Sequence, residues 1–356
     1  MFSKARKIIG SWLVLGCIII FFQVILGGVT RLTESGLSIT QWNPINGIIP
    51  PLNEQQWNAE FDLYKQKVQY KIINEGMTLH EFKWIFFWEF FHRAWARLLA
   101  IVFLVPFIYF IYKKYISWNL VAQLTGLFLF GALQGFVGWI MVKAGLSGLF
   151  VPPLRLTVHL ILALMLYAYL IWLTLSVYRQ GEGNFSTASK EVKNLALAIL
   201  AVLFLQLFLG GITSGMKAGL TYPTWPTMNG QWIPLALTSE HPTFAGLFSY
   251  LPQDFWGRTF FQFLHRLTAY TLVVLIFIFY FKSRNITTDK IFKIGLNLFP
   301  VFVLLQALIG IITVTNCIGK IPVAWGVLHQ AGAMLLIAET VFIIFHLLSG
   351  NKTQAK

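Results

Sequence analysis

The stretch FFWEFFHRAWARLLAIVFLVPFIYFIYKK, Phe86 to Lys114, is apolar enough to cross a bilayer, yet its first half carries Glu89, His92, Arg93 and Arg97. A hydrocarbon core about 30 Å thick needs about 20 mostly apolar helical residues. Ionisable groups within such a segment are costly and normally face a bundle interior or cavity that holds a partner. The stretch therefore predicts a membrane fold with something polar gathered at one end of its helices.

The whole composition agrees with that reading. The chain has 356 residues, 57% hydrophobic and 11% charged, with a mean hydropathy of +0.68; a soluble domain carries about a quarter charged residues. Apolar runs long enough to span occur eight times, at 8–29, 86–112, 118–142, 153–178, 193–213, 258–281, 291–315 and 322–348. The net charge of +14 does not point to nucleic acid, because the basic residues cluster in the short connections of one side. Lys4, Arg6 and Lys7 precede the first span, Lys113 and Lys114 follow the second, Arg179, Lys190 and Lys193 follow the fourth, and Lys282, Arg284, Lys290 and Lys293 follow the sixth. With Lys352 and Lys356 at the end, the positive-inside bias makes that side cytoplasmic and puts both termini there.

The opposite side receives two long segments, 30–85 and 214–257, rich in Trp, Pro, Gly and Asn, which are candidate lids. MFSKARKIIGSW runs into the first span without a small-residue cleavage site, so that span is expected to be retained. Cys17 and Cys317 lie at depths differing by roughly 15–20 Å, too far for a disulfide within one chain.

An internal repeat organises the chain. QVILGGVTRLTESGLSITQWNPINGIIP, from Gln23, aligns with QLFLGGITSGMKAGLTYPTWPTMNGQWIP, from Gln206. FFHRAWAR then matches FLHRLTAY, LQGFVGWIMV matches LQALIGIITV, and TVHLILALML matches VLHQAGAMLL. These matches set His92 against His265, Gln134 against Gln306 and His159 against His329. The fold class expected is an all-α integral membrane protein, with eight transmembrane helices arranged as two tandem pseudo-symmetric four-helix bundles. The first unit covers 1–178 and the second 193–356, joined by a cytoplasmic linker at 179–192. Each unit holds an even number of spans, so the two share one orientation, related by a pseudo-two-fold axis along the membrane normal.

His92, His159, His265 and His329 fall one in each even-numbered span. They lie between 17 and 21 residues before the cytoplasmic end of the span, which places all of them about 25–32 Å from that face. Interfacial hydrogen bonding would explain one such histidine, but not two symmetric pairs at one depth. Facing histidines in a four-helix bundle are how a bundle core ligates a cofactor. Zinc needs three or four protein ligands, and each unit supplies two histidines with no cysteine at that depth. Two axial imidazoles suit a haem iron. Gly27, Gly28, Gly131, Gly135 and Gly138, with Gly210, Gly211 and Gly310, would let a flat macrocycle approach the backbone, although helix packing explains such glycines equally well. Arg93 and Arg266, next to ligand candidates, are placed to meet propionates or to reach headgroups.

Glu89 precedes His92 by three residues and shares its helical face, whereas Gln262 holds the equivalent place before His265. The carboxylate is either an interfacial partner of Arg93 or Arg97, or a functional group of the first unit alone. Glu339 has no counterpart and reads as a structural buried acid; His80, His241 and His346 carry no assigned role.

EFKWIFFWEFFHRAWAR, RLTESGLSITQWNPINGIIPP, LGGITSGMKAGLTYPTWPTMNGQWIP, FQFLHR and the LHQ of the last span together resemble the haem A synthase family, the CtaA-type membrane enzymes, over essentially the whole chain. The resemblance implies oxidation of the C8 methyl of haem O to a formyl group, giving haem A for terminal oxidases. By motif, it implies that Glu89 acts in catalysis, that His92 and His159 hold the substrate haem, and that His265 and His329 are axial ligands of a haem B cofactor. It further implies a cell inner-membrane location, with a mitochondrial inner membrane as the lesser alternative. The partners it implies are the bilayer, haem O synthase, an electron acceptor and further copies of the chain. One branch of the family has a cysteine pair in the first outer loop; residues 30–85 contain none, as in the proteobacterial and mitochondrial branch. A di-haem cytochrome b that only passes electrons would show the same four histidines, but gives no reason for the Glu89–Gln262 difference. A repeat-built transporter would show interrupted midplane helices, and none is apparent in the sequence.

Overall fold

The computed structural model describes residues 2–41, 46–179, 188–251, 253–286 and 290–348. Most of the linker, the Trp42–Pro44 turn, Lys352 and Lys356 lie outside the described residues. Eight long helices follow one another: α1 (Phe2–Leu32), α2 (Leu79–Tyr112), α3 (Trp118–Gly145), α4 (Pro153–Tyr178), α5 (Lys190–Gly215), α6 (Phe255–Ser283), α7 (Lys290–Thr315) and α8 (Val323–Leu348). All eight are long and apolar enough to cross a membrane. Among the described residues the extended backbone amounts to one isolated bridge, Met228 with Gln231.

Where the helices begin is written in their caps. α2 starts seven residues before its apolar window because Thr78 and Glu81 form a reciprocal capping box, which builds a polar first turn outside the hydrocarbon. Ser117 and Ser189 accept from the backbone N–H groups of Leu120 and Val192 at the starts of α3 and α5. Asp254 starts α6 by accepting from Gly257 N at 2.9 Å, and its other oxygen accepts from Gly246 N at 2.8 Å, tying the outer segment to the helix. α4 starts on Pro153, whose missing N–H costs nothing in a first turn.

Packing divides the helices into a centre and a rim. α1, α4, α5 and α8 pack on one another and bury the largest shares of their surfaces, while α2 and α3 flank one side and α6 and α7 the other. Partners recur in register: α1 packs on α2 and α4 as α5 packs on α6 and α8. The centre is closed by small residues. A Cβ on Gly211 would lie 2.8 Å from Thr157, one on Gly215 would lie 2.9 Å from the Cα of Pro153, and one on Gly28 would lie 2.6 Å from Gln330. Gln330 of α8 donates to Val24 O of α1 at 2.6 Å across the same contact.

The outer segments are folded over the helix ends. Helices Glu54–Lys65 and Val68–Ile73 stack Phe61 and Tyr64 on Phe82 at the start of α2. Gln69 joins this cap to α1 by donating to Glu34 O and accepting from the Tyr64 hydroxyl, and burial pushes that phenol up to about 12. Glu34 forms a salt bridge with Lys217, its own counterpart in the repeat, and both adopt left-handed backbone conformations. A contact between repeat-equivalent residues is what a two-fold axis running between them produces.

Gly215→Val should lower the thermal midpoint of the detergent-solubilised protein, because the Pro153 backbone must move; overpacking of this kind costs about 1–3 kcal/mol. Gly126→Ala, where a Cβ would meet nothing within 4 Å, is the control and should leave the midpoint unchanged or slightly higher. Equal midpoints for the two variants would show that the central contact is not tight.

Candidate functional site

Each consecutive helix pair repeats one local arrangement. A Cβ placed on Gly27 would lie 3.1 Å from Nε2 of His92, and one on Gly138, Gly210 or Gly310 would lie 2.9, 2.9 or 2.7 Å from Cε1 of His159, His265 or His329. Every imidazole therefore occupies the space a side chain would take on the facing helix. A glutamine one turn earlier on that helix reaches the same histidine: Gln23 donates to His92 O at 3.3 Å, Gln134 to His159 O at 2.8 Å, and Gln306 to His329 O at 2.8 Å. Gln206 instead places its Nε2 3.5 Å from Nε2 of His265. A threonine one turn later ties down the carbonyl four residues before the histidine in three pairs: Thr30 to Trp88 O, Thr213 to Phe261 O and Thr313 to Trp325 O, each at 3.2 Å. The α3–α4 pair departs, with Met141 in place of threonine and Arg155 at the carbonyl position.

The sequence reading aligned the glutamines in twos and missed that each odd-numbered span carries a Q-x3-G whose glycine faces a histidine. Of the two readings left open for the glycines, packing accounts for most: Gly27, Gly138, Gly210 and Gly310 admit imidazole rings, Gly28 and Gly211 admit Gln330 and Thr157, and only Gly131 and Gly135 of that set face open space.

The second pair fits an axially ligated iron. The rings of His265 and His329 are perpendicular, at 85°, with centroids 6.4 Å apart. A metal–imidazole bond of roughly 2.0–2.1 Å, with the centroid roughly 1.1 Å behind its nitrogen, puts two rings on opposite sides of one iron roughly 6.3 Å apart. Nδ1 of His265 is buried without a partner among the described residues, while Nδ1 of His329 lies 3.1 Å from Gln306, which leaves its Nε2 free. Among the described residues no group of three His, Cys, Asp or Glu could hold a bare metal ion. Two imidazoles per unit therefore suit a metal whose other positions a macrocycle fills. In the first unit Nδ1 of His159 is likewise buried and without a partner.

Glu89 is 2% exposed and surrounded by donors. Its Oε1 accepts from Arg93 at 2.6 Å, and its Oε2 accepts from Ser38 Oγ and Ile39 N, both at 2.8 Å. The ion pair weighed from sequence is thus present, and its partner is Arg93. Gln262, also 2% exposed, meets the same outer-segment position in the opposite sense by donating to Tyr222 O at 2.9 Å. Residues 38 and 39 are the repeat counterparts of 221 and 222, so the two units hold one frame while a carboxylate needing donors replaces an amide supplying one. Arg266 donates to Tyr222 O at 2.9 Å and to Thr227 O at 3.4 Å. Both arginines named as propionate candidates are therefore anchored to protein groups at the outer end of their helices. Ser38 was not singled out from sequence, since only the folded loop brings it to Glu89.

Other polar residues take structural places. Glu339 packs against Gly295, and its Oε1 has no partner among the described residues. Cys317 is a buried free thiol held up at about 11 by desolvation, and it stays protonated at neutral pH. A hollow of about 780 Å³ opens at the outer ends of α3 and α4, lined in part by Trp139, Lys143, Phe150, Arg155 and Tyr250.

Known proteins share this sequence along nearly its whole length. Residues 10–341 match the model of the COX15-CtaA family, described as cytochrome oxidase assembly protein. The chain is 39% identical to the heme A synthase of Nitrosospira multiformis over 340 residues, covering 95% of this chain and 93% of that one. It is 38% identical to the heme A synthase of Parvibaculum lavamentivorans, covering 95% and 94%, and 36% identical to that of Flavobacterium johnsoniae, covering 97% and 99%. Eight spanning helices, four histidine–glycine contacts and similarity along nearly the full length converge, and the chain belongs to the CtaA-type cytochrome oxidase assembly family, to which these heme A synthases are similar throughout.

Proposed function

We propose that this chain oxidises the C8 methyl of haem O to a formyl group, making haem A for a terminal oxidase. The observation that carries the reading is a break in the repeated frame directly beside a histidine, Glu89 facing Ser38 and Ile39 where Gln262 faces Tyr222. Pure electron transfer through two similar haems has no use for that difference. In this assignment residues 1–178 form the substrate unit, with haem O held by His92 and His159. Residues 193–356 form the cofactor unit, with haem B held by His265 and His329.

With water as the oxygen donor, turning a methyl into an aldehyde releases four electrons and four protons. Bound haem B would supply a one-electron relay toward an external acceptor. The chain's own residues do the rest. Glu89 accepts protons from the hydroxylated side of the substrate, and Ser38, Ile39 N and Arg93 hold its carboxylate in one orientation. The cap built on Phe61, Tyr64 and Phe82 covers this end of the helices and limits access of bulk water. Arg93 and Arg266 lie one residue from a proposed ligand and would offer their remaining N–H groups to propionates at the outer face. In this reading both termini lie in the cytoplasm of a cell whose inner membrane holds the protein, a reading that the basic short connections support. A haem O synthase delivers the substrate, and copies of the chain associate in the bilayer.

Glu89→Gln keeps the shape of the side chain and loses the proton acceptor. Haem A formation should fall by about 10²–10⁴, the usual contribution of a general base, while haem B is retained at His265 and His329. Chromatography of haems extracted from the purified variant measures both, and near wild-type haem A would make the carboxylate structural.

His265→Ala and His329→Ala should each abolish the low-spin absorption of the bound haem B and lower the haem content of the purified protein. An unchanged spectrum and haem content in both variants would overturn the axial assignment. His92→Ala should leave that spectrum in place and remove haem A formation.

A further inference from the structure

Beneath the first histidine pair lies a partly open apolar cavity of about 260 Å³ between α1, α2, α3 and α4. Its wall on α2 is Ala96, Leu99, Ala100 and Phe103, which follow His92 at the +4, +7, +8 and +11 positions and so continue the face of the helix that carries the ligand. Leu166 and Leu170 of α4 follow His159 at +7 and +11. At 1.5 Å per residue the cavity runs from roughly 6 to 17 Å below the histidines, toward the side of the basic connections. No charged group lines it, and the indole N–H of Trp12 at its edge is already bonded to Val102 O at 2.9 Å. A cavity of this kind offers an apolar guest burial and offers a polar one nothing.

At four positions of this lining the second unit carries a larger residue. Gly16, Ala100 and Gly131 line the cavity, and their repeat counterparts are Ile199, Val273 and Val303. Ile199 is 1% exposed and Val303 3% exposed, both in the central core. Leu127, also on the wall, is replaced by Phe299, again 1% exposed. The helices differ accordingly: α6 packs along α7, whereas α2 and α3 touch little beyond the stacked rings of Phe103 and Phe128, whose centroids are 6.0 Å apart. The two units thus share a ligand frame and differ in the volume beneath it.

Volume and shape select the guest. The cavity is smaller than the pockets of about 300–1,000 Å³ that enclose whole drug-sized ligands, so it takes a chain and not a macrocycle. Haem O differs from haem B in bearing a long isoprenoid tail on the ring. We propose that the cavity framed by Gly16, Ala100 and Gly131 receives the isoprenoid tail of the substrate haem, and that Ile199, Val273 and Val303 close the second unit to any haem carrying such a tail. This rests on the assignment of haem O to His92 and His159. It adds the residues that tell the substrate haem from the cofactor haem.

The test is a titration of the purified protein, with its resident haem in place, against haem O and against tail-free haem B, read as the absorption change that His92→Ala removes. Gly131→Val and Ala100→Val, singly and together, introduce the residues of the second unit. Haem O affinity should weaken about tenfold or more, as when extra methyl groups are forced into a packed apolar site, while haem B affinity at the same histidines changes less than about twofold. On the unaltered protein, excess farnesol should compete with haem O and not with haem B. Retention of the low-spin haem at His265 and His329 reports folding; if the double variant loses it, the single variants and the farnesol competition decide. Unchanged haem O binding in the filled variants with no farnesol competition overturns the tail site and leaves the substrate assignment standing. Equal weakening of both haems also overturns it, since the residues would then shape the macrocycle site. If the unaltered protein binds neither haem in a way that His92→Ala removes, the substrate assignment itself has failed.

Discussion

An imidazole ring and a side chain on the facing helix cannot occupy the same space, and the structure settles this conflict the same way four times. Glycine stands opposite each of His92, His159, His265 and His329, close enough that a Cβ would lie within about 3 Å of the ring. The constraint fixes more than the rings. It sets how near the two helices of each pair approach, and the glutamine one turn away holds the histidine backbone at the matching height in three of the four. Bundle depth, ligand depth and helix register are therefore one quantity.

The membrane makes that economy necessary. With no water in the hydrocarbon, every backbone group and every buried polar side chain must find a partner within the protein. Thr30 of α1 and Thr313 of α7 donate both to their own helix and to the facing one, and Thr213 of α5 donates to the facing helix. Such contacts let ionisable residues stand at the apolar boundary without a destabilising orphan charge. Glu89 follows the same rule, since its two oxygens meet a guanidinium, a hydroxyl and a backbone N–H.

Duplication supplied a frame, and specialisation altered it at a few places. At the outer face an acid replaces an amide beside the ligand. Beneath the ligands small residues replace branched ones. At the α3–α4 pair Met141 and Arg155 abandon the threonine–carbonyl bond, where a basic hollow opens instead. All three departures fall in the first unit or at its edge, while the second unit is closed and packed. A tight, filled bundle holds a resident group in one position, and a looser one admits and releases a group that must come and go.

Much of this was legible in the chain itself. Length and apolarity determine eight helices, because an apolar run of about 20 residues satisfies its own backbone within a bilayer only as a helix. The repeat, read with the histidine in every even span, determines four histidines at one depth and singles out Glu89 against Gln262. The four Q-x3-G motifs were equally available, and went unread only because they were compared in twos. Other features depend on residues far apart in sequence and were decided by folding alone. Ser38 reaches Glu89 across 51 positions, Lys217 reaches Glu34 across 183, and Gln330 reaches Val24 across 306. The cavity beneath His92 is likewise a property of four helices at once: a glycine at 16 or 131 is silent in sequence, since the same residue elsewhere admits a ring, a hydroxyl or a proline. Pattern along one helix determines which residues share a face, but whether that face meets a neighbour or an empty space is set by what the other helices bring to it.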